Sequence, residues 1–336
     1  MDIQLLKHLG NIEQVAGIRE STLLRGRSQG VRIAEFYNAA GLRFSVVPDR
    51  CMDLYDFSYK GMNLSFQSKN GLTAPQLCSA ASGEFAQQWP AGMLVTCGLD
   101  NVGGAASDGG NFPTHGRTSN VPAASFGTDC HWEGDNYILQ ASGEIHETQL
   151  FGRHLSIRRT IETSLQESVV RIHDTVTNYE AEEEPYMMLY HFNFGYPLLQ
   201  ADSLVHMTPS KPIPLTDISK DFEHMSPPID GQDEELYLHT QLEGRACAVL
   251  YNERLELGAY ISFDTRNLPN LLQWKRMKSH DYVVGLEPCN TWGINRDAAA
   301  AQKKLAVIPA YSSIENHLEL GVLEGLTTIR EFIRNL

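Results

Sequence analysis

Short stretches of two-residue alternation, broken by turn residues, run along most of the chain. In VRIAEFY (31–37), Val31 and Ile33 alternate with polar neighbours before the pattern slips at Phe36 and Tyr37. LRFSVV (42–47) follows after the turn-like spacer NAAG. HLSIRRTIET (154–163) sets Leu155, Ile157 and Ile161 on one side, and SVVRIHDTVTN (168–178) does the same with Val170, Ile172 and Val176. The intervening SLQE is short enough to close a hairpin. Similar runs recur at ACAVLY (246–251), LGAYISF (257–263), YVVGLE (282–287) and KLAVIP (304–309). Alternation marks strands with one buried face, and few helical stretches lie between these runs. The pattern therefore predicts an all-β fold, a large antiparallel sandwich rather than a parallel α/β sheet.

Helical patterns are confined to residues 3–9, RDAAAAQKK (296–304) and LTTIREFIRNL at the C-terminus. The stretch 209–235 carries five prolines and many acids and reads as one long loop, a kind of segment that is usually functional or disordered. NVGGAASDGGNFPTHG (101–116) is glycine-rich, flexible in composition, and ends on His-Gly-Arg. With no internal repeat and no linker-like stretch, one domain over 1–336 is expected, residues 1–30 forming its lead-in. Large β sandwiches often run to this size as one unit.

Composition narrows the partners. The chain has 336 residues, 42% hydrophobic and 20% charged, enough to bury a full core without disulfide or metal staples. Its 41 acidic and 27 basic residues give a net charge of −14, which argues against nucleic acid and an anionic membrane as partners. The six cysteines (Cys51, Cys78, Cys97, Cys130, Cys247 and Cys289) lie singly with no CxxC pair, so metal-site spacing is missing and reduced thiols are expected. MDIQLLKHLGNIEQ lacks the apolar region of a signal peptide, and no run approaches the ~20 apolar residues of a membrane span. A cytoplasmic location is expected.

Four segments carry candidate chemistry. In FPTHGRTSN (112–120), His115 and Arg117 point the same way if the segment is extended, giving donors suited to sugar hydroxyls. A loop histidine and a surface ion pair would explain them equally. In MMLYHFNFGYPLL (187–199), His191 and Asn193 share one face of an apolar, aromatic strand. Buried polar groups must find partners, so that face is a polar cleft or a satisfied internal network. Glu287 ends the apolar strand of DYVVGLEPCN (281–290), with Pro288 fixing the backbone behind it; a carboxylate there is costly unless paired or used for proton transfer. In VVPDRCMDLYDF (46–57), Arg50 can be held by Asp49 or Asp53 and would serve hydroxyl pairs or anions. Trp274 and Lys275 in LLQWKRM add an aromatic face and a cation. The glycines of GLDNVGG form no phosphate-cradling loop, and no GxSxG nucleophile motif occurs.

VVPDRCMD, WPAGMLVTCGLDNVGG, FPTHGRTSN, LYHFNFGYPLL and VVGLEPCNTWG, in this order, resemble the aldose 1-epimerase (galactose mutarotase-like) superfamily, nearest its branch called domain of unknown function 4432. The resemblance covers about residues 30–320. It implies a β supersandwich with a sugar cleft, in which Glu287 resembles the catalytic base, His191 the acid and His115 a second, sugar-binding histidine. Arg117 is similar to the arginine after the His-Gly of hexose-phosphate mutarotases, and Arg50 belongs to the branch's own motif. The binding aspartate that mutarotases place between acid and base has no matching motif here; Asp264 in ISFDTRNLP is offered for that place. Mutarotation calls for no metal and no cofactor. The partner implied is a small-molecule carbohydrate, handled by a monomer or homodimer. Three readings follow in this order: a mutarotase, a sugar isomerase or epimerase acting at another carbon, and a non-catalytic carbohydrate-binding protein.

Overall fold

The computed structural model describes residues 7–79 and 84–336. Their twenty strands form three antiparallel sheets. The first sheet runs in chain order through β1 (Gly17–Thr22), β2 (Arg32–Tyr37), β3 (Leu42–Val47), β4 (Asp53–Tyr59) and β5 (Met62–Asn63). The remaining strands are β6 (Leu94–Leu99), β7 (Gly127–Glu133), β8 (Asn136–Thr148), β9 (His154–Ser164), β10 (Val169–Asn178), β11 (Glu184–Phe194), β12 (Leu204–Met207), β13 (Lys211–Pro214), β14 (Glu235–Thr240), β15 (Arg245–Asn252), β16 (Leu257–Asp264), β17 (Asn270–Lys278), β18 (Asp281–Cys289), β19 (Ala306–Ile308) and β20 (Ser313–Glu324). An eight-stranded sheet has the order β12-β15-β16-β20-β10-β9-β8-β7. A seven-stranded sheet has the order β13-β14-β17-β18-β11-β19, with β6 also on β11. Three short helices complete the set: α1 (Phe85–Gln88), α2 (Arg296–Ala301) and α3 (Leu326–Arg334).

The predicted hairpin is present: β9 and β10 pair in register, Ile157 opposite Val176 and Ile161 opposite Ile172. β10 buries every second residue and β9 does so apart from Ser156 and Ser164, which are also buried, with Leu155, Ile157, Ile161, Val170, Ile172 and Val176 all facing inward. The slip seen in β2 has a simple cause. Ala34 and Phe36 face the main core, whereas Ile33 lies on the opposite face against a small cluster of Val31, Val47, Leu72 and Ala74. One core joins all three sheets, with Phe36 and Phe44 from the first, Ile157 and Leu318 from the second, and Tyr190 and Leu286 from the third.

Local corrections concern the ends and the long loop. The lead-in expected over 1–30 contains β1, which extends the first sheet through six residue pairs with β2. The stretch 209–235 is not wholly loop: Lys211–Pro214 forms β13 and pairs with β14. Both prolines of β13 sit on an edge strand, where a missing N–H costs no inner ladder bond. Helices form at Arg296–Ala301 and Leu326–Arg334, as the sequence predicts. The helix expected at 3–9 falls mostly outside the described residues, and 7–9 are not helical. All six cysteines are free, and among the described residues no helix is long and apolar enough to cross a membrane.

The face of the seven-stranded sheet turned away from the main core positions the site. Val95, Cys97, Met187, Leu189, Leu272 and Cys289 make a second apolar cluster there. The glycine-rich loop 101–116 covers part of this face and is tied down rather than free. Asn101 Nδ2 donates to the Gly104 and Pro113 carbonyls, each at 2.8 Å, and Asp297 of α2 accepts from the Ser107 and Asp108 amides at 2.9 and 2.8 Å.

Candidate active site

Strand parity selects what reaches the outer face. On β11, Met187, Leu189, His191 and Asn193 alternate with Met188, Tyr190, Phe192 and Phe194, which enter the main core. The register that pairs Leu189 with Cys289 and Phe192 with Leu286 brings His191 beside Glu287 of β18. Their side chains meet, His191 Nε2 lying 3.2 Å from Glu287 Oε1, and the two residues are only 4% and 1% exposed. Glu287 has room because its strand neighbour on that face is Gly285. A Cβ there would stand 2.3 Å from Glu287 Oε1 and 3.2 Å from the Trp274 Cβ. Gly285→Ala should therefore leave a folded protein that has lost most of any activity, since the carboxylate must swing away from His191. Circular dichroism with an activity assay checks this, and wild-type turnover in the variant would refute it.

Aromatic rings wall the pair. Trp89, just after α1, lies 5.3 Å from His191 and 5.8 Å from Trp274, ring centre to ring centre, and Trp274 lies 5.5 Å from His191. His115 closes the far side at 5.4 Å from His191 and 5.2 Å from Phe85. Its backbone is left-handed, φ 59°, and is held by His115 N–H donating to the Gly103 carbonyl at 2.8 Å. The next residue must be glycine: a Cβ on Gly116 would come within 2.1 Å of the Gly98 oxygen, at φ +73°. His115 Nδ1 accepts from the Gly103 amide at 3.3 Å, so a neutral ring carries its proton on Nε2. The cleft bounded by these groups has a volume of about 760 Å³ and also takes in Glu234, Arg276, Asp281 and Lys69 at its rim.

Burial sets the proton chemistry. Desolvation holds His191 well below its ordinary value, with His115 adding to the effect, and pushes Glu287 well above the carboxylate range, with Glu234 adding to it. Desolvation alone brings His115 down to about 4. A buried ionised group is expensive, so the His191–Glu287 pair retains one proton between its members across neutral pH. Such a pair can take a proton at one point and give one at another.

The structure brings together four of the predicted residues, His115, His191, Trp274 and Glu287. The others lie elsewhere. Asn193 sits beneath the cleft, donating through Nδ2 to the carbonyls of Gly92 at 2.9 Å and His191 at 2.8 Å, and so supports the ring it follows. Lys275, next to Trp274, necessarily points to the other face, where Nζ donates to the Asp221 carbonyl at 2.5 Å and pairs with Glu235 at 3.4 Å. Asp264 ends β16 in the eight-stranded sheet and is engaged by Arg266, Nη2 at 2.7 Å, so it does not belong to the cleft.

The two arginines line a second, smaller cavity of about 310 Å³, which shares the wall of Phe85, Trp89 and Thr114 with the cleft. Arg117 is paired with Asp100. Neither Asp49 nor Asp53 holds Arg50: Asp49 pairs with Arg32 at 2.6 Å and Asp53 with Arg159 at 3.3 Å. Arg50 Nη1 donates instead to the Thr73 carbonyl at 3.0 Å.

Sequence reasoning missed Trp89, Phe85 and Glu234. Glu234 accepts from the Trp274 indole N–H at 2.9 Å and lies in the long acidic stretch, whose length was the one signal available. Trp89 and Phe85 follow from a four-residue helix with no periodicity to notice.

Solved structures share this architecture. A "putative aldose 1-epimerase" of Klebsiella pneumoniae superposes with a TM-score of 0.90 at 22% identity, over 95% of this chain and 86% of that one. A galactose mutarotase-like protein of Clostridium acetobutylicum gives 0.62 at 12% identity, over 93% and 99%. The galactose 1-epimerase of Lactobacillus acidophilus gives 0.59 at 9% identity, over 92% and 99%. At these identities the likeness establishes the fold, an all-β sandwich of the galactose mutarotase-like kind. No curated protein matches the sequence. The sequence profile of "Domain of unknown function (DUF4432)" matches residues 28–322, and the chain belongs to that family.

Proposed function

We propose that this protein is a carbohydrate mutarotase, interconverting the anomers of a sugar by acid–base opening of its ring. The observation that carries the reading is the buried His191–Glu287 pair, at 3.2 Å, on the floor of an aromatic-walled cleft. Aromatic faces suit the C–H surfaces of a pyranose, and His115 Nε2–H is placed as a donor to one of its oxygens.

In the cycle proposed, the Glu287 carboxylate removes the proton from the anomeric hydroxyl while the His191 imidazolium protonates the ring oxygen. The C1–O bond of the ring breaks and the aldehyde forms. After rotation about C1–C2, the ring oxygen adds to the other face of the aldehyde, and each proton returns to the group it came from. Protons are conserved throughout: the pair starts as carboxylate and imidazolium, passes to carboxylic acid and neutral imidazole in the open form, and holds one proton at both stages. Burial favours the uncharged arrangement, which is the one belonging to the open-chain intermediate. Each positioned group of this kind typically contributes ~10²–10⁴-fold. Arg50 and Arg117, beyond the shared wall, have no part in ring opening.

A pH dependence follows. Activity appears as pH rises through the depressed value of His191, where a second proton leaves the pair, and disappears as pH rises through the elevated value of Glu287. The plateau should extend well below pH 6.5, where an ordinary histidine would already limit it. An acid limb centred at 6.5 would contradict the buried-pair mechanism.

NMR exchange spectroscopy on a panel of aldoses, uronic acids and sugar phosphates tests the function itself. Acceleration of anomer exchange over buffer, with no solvent deuterium entering a C–H bond, is the expected result. Deuterium at carbon would favour an epimerase of another centre, and saturable binding without acceleration would favour a binding protein.

A further inference from the structure

A second group of ionisable side chains lies on the outer face of the eight-stranded sheet, in a different sheet from β11, β17 and β18. His173 of β10 and His317 of β20 are direct cross-strand partners, and Glu315 lies two residues before His317 on the same face. Their strand neighbours Ile172 and Leu318 enter the main core, so these three project outward. The imidazoles stack with centres 4.1 Å apart and planes 18° from parallel. Both present Nε2 to one carboxylate oxygen, Glu315 Oε2, at 3.9 Å from His173 and 3.6 Å from His317.

These separations are too long for hydrogen bonds and right for ligands around a cation. The three ligand atoms lie within 4.8 Å of one another. A tetrahedral zinc ion with Zn–N and Zn–O bonds near 2.0–2.1 Å holds its ligands roughly 3.3 Å apart, so closure asks for shifts of about an ångström, together with a tilt of the stacked rings that brings both Nε2 lone pairs onto one ion, in side chains that are half-exposed. A second observation points the same way: His173 Nε2 is shut off from solvent and has no hydrogen-bond partner. A nitrogen lone pair or N–H so placed is normally satisfied. Among the described residues, no lysine or arginine forms an ion pair with Glu315, whose ion-pair partners are these two rings. Nearby charges are committed elsewhere, Arg171 to Glu167 at 2.7 Å and Asp264 to Arg266 at 2.7 Å.

We propose that His173, Glu315 and His317 form a binding site for a divalent transition-metal ion of the zinc type, which ties β10 to β20. Two imidazoles and one carboxylate are a donor set that suits zinc, with water completing the coordination. The site stands apart from the His191–Glu287 cleft and does not depend on the function proposed for it.

The test uses the full chain without a polyhistidine tag, titrated calorimetrically with zinc chloride and followed with cobalt(II) by its visible absorption. One equivalent of zinc, a tetrahedral cobalt spectrum and a higher thermal midpoint with zinc are expected. His317→Ala should weaken binding at least by the roughly 10–100-fold that loss of even an outer-shell support costs. Glu315→Gln, a surface change with little bearing on folding, should do likewise, while His191→Ala should keep full binding. The proposal is overturned if no saturable binding occurs, if His317→Ala and Glu315→Gln bind as the parent does, or if His191→Ala is the variant that loses the metal.

Discussion

Glu287→Gln should abolish catalysed anomer exchange, by ~10²–10⁴-fold at the least, while the protein still folds and still binds its sugar. The amide is almost isosteric with the carboxyl, so the space beside Gly285 and the contact with His191 remain filled. What the variant loses is the ability to accept the anomeric proton. Folding should not suffer, because the carboxyl is buried at 1% exposure and its charge is opposed by desolvation and by Glu234. A carboxyl whose folded-state pKa is raised weakens the fold as pH rises above its ordinary value of 4.5, so replacing it is mildly stabilising above that pH. Exchange spectroscopy gives the rate, and saturation-transfer difference NMR gives binding. A rate within tenfold of the parent would remove Glu287 from the mechanism. Loss of binding together with rate would instead make it a sugar ligand, and His191→Asn would then need to separate the two roles.

The residues of this pair were legible in the sequence because each interrupts an apolar strand at a position where polarity has a cost. His191 sits between Tyr190 and Phe192, which are fully buried, and Glu287 follows Leu286, also fully buried. The fold class was legible for the same reason, through alternation in strands such as β9 and β10. What alternation could not convey was which of several faces a given polar residue would reach. Trp274 and Lys275 are adjacent, and strand parity alone allows only one of them to line a cleft. Arg50 and Arg117 do border a cavity, but Phe85 and Trp89 stand between it and the reacting pair. That partition comes from a loop and a four-residue helix, whose path is set by tertiary contacts. The carboxylate near Arg50 was misassigned through proximity in sequence. Asp53, three residues on, turns to Arg159, 106 residues away. Short-range charge pairing is a weak guide where a sandwich brings three sheets to one point.

That point gives the second large effect. Arg159→Met should destabilise the protein by about 3–5 kcal/mol, the cost of removing one partner from a buried ion pair. Arg159 of β9 is wholly buried, and its Nε and Nη2 grip both oxygens of Asp174 at 2.8 and 2.6 Å. Its Nη1 reaches the Cys51 carbonyl at 3.0 Å, Thr96 Oγ1 at 2.9 Å and Asp53 at 3.3 Å. Tyr190, on the core face of the strand that carries His191, donates to Asp174 at 2.7 Å. One guanidinium thus links the five-stranded sheet through Asp53, the eight-stranded sheet through Asp174 and the seven-stranded sheet through Thr96 of β6. Methionine fills much of the volume but leaves two buried carboxyls facing each other. The thermal midpoint should fall by about 4–7 °C. Part of that loss is electrostatic, so Arg159→Met combined with Asp174→Asn should recover part of the stability relative to the single variant, because one of the two stranded charges is gone and only Asp53 remains. If the double variant is instead less stable by the sum of the two single effects, the bridge acts through packing alone. Its position against Tyr190 adds a catalytic readout: the single variant should also lose activity below its melting range, as the strand beneath His191 loses its anchor, and the double variant should regain it.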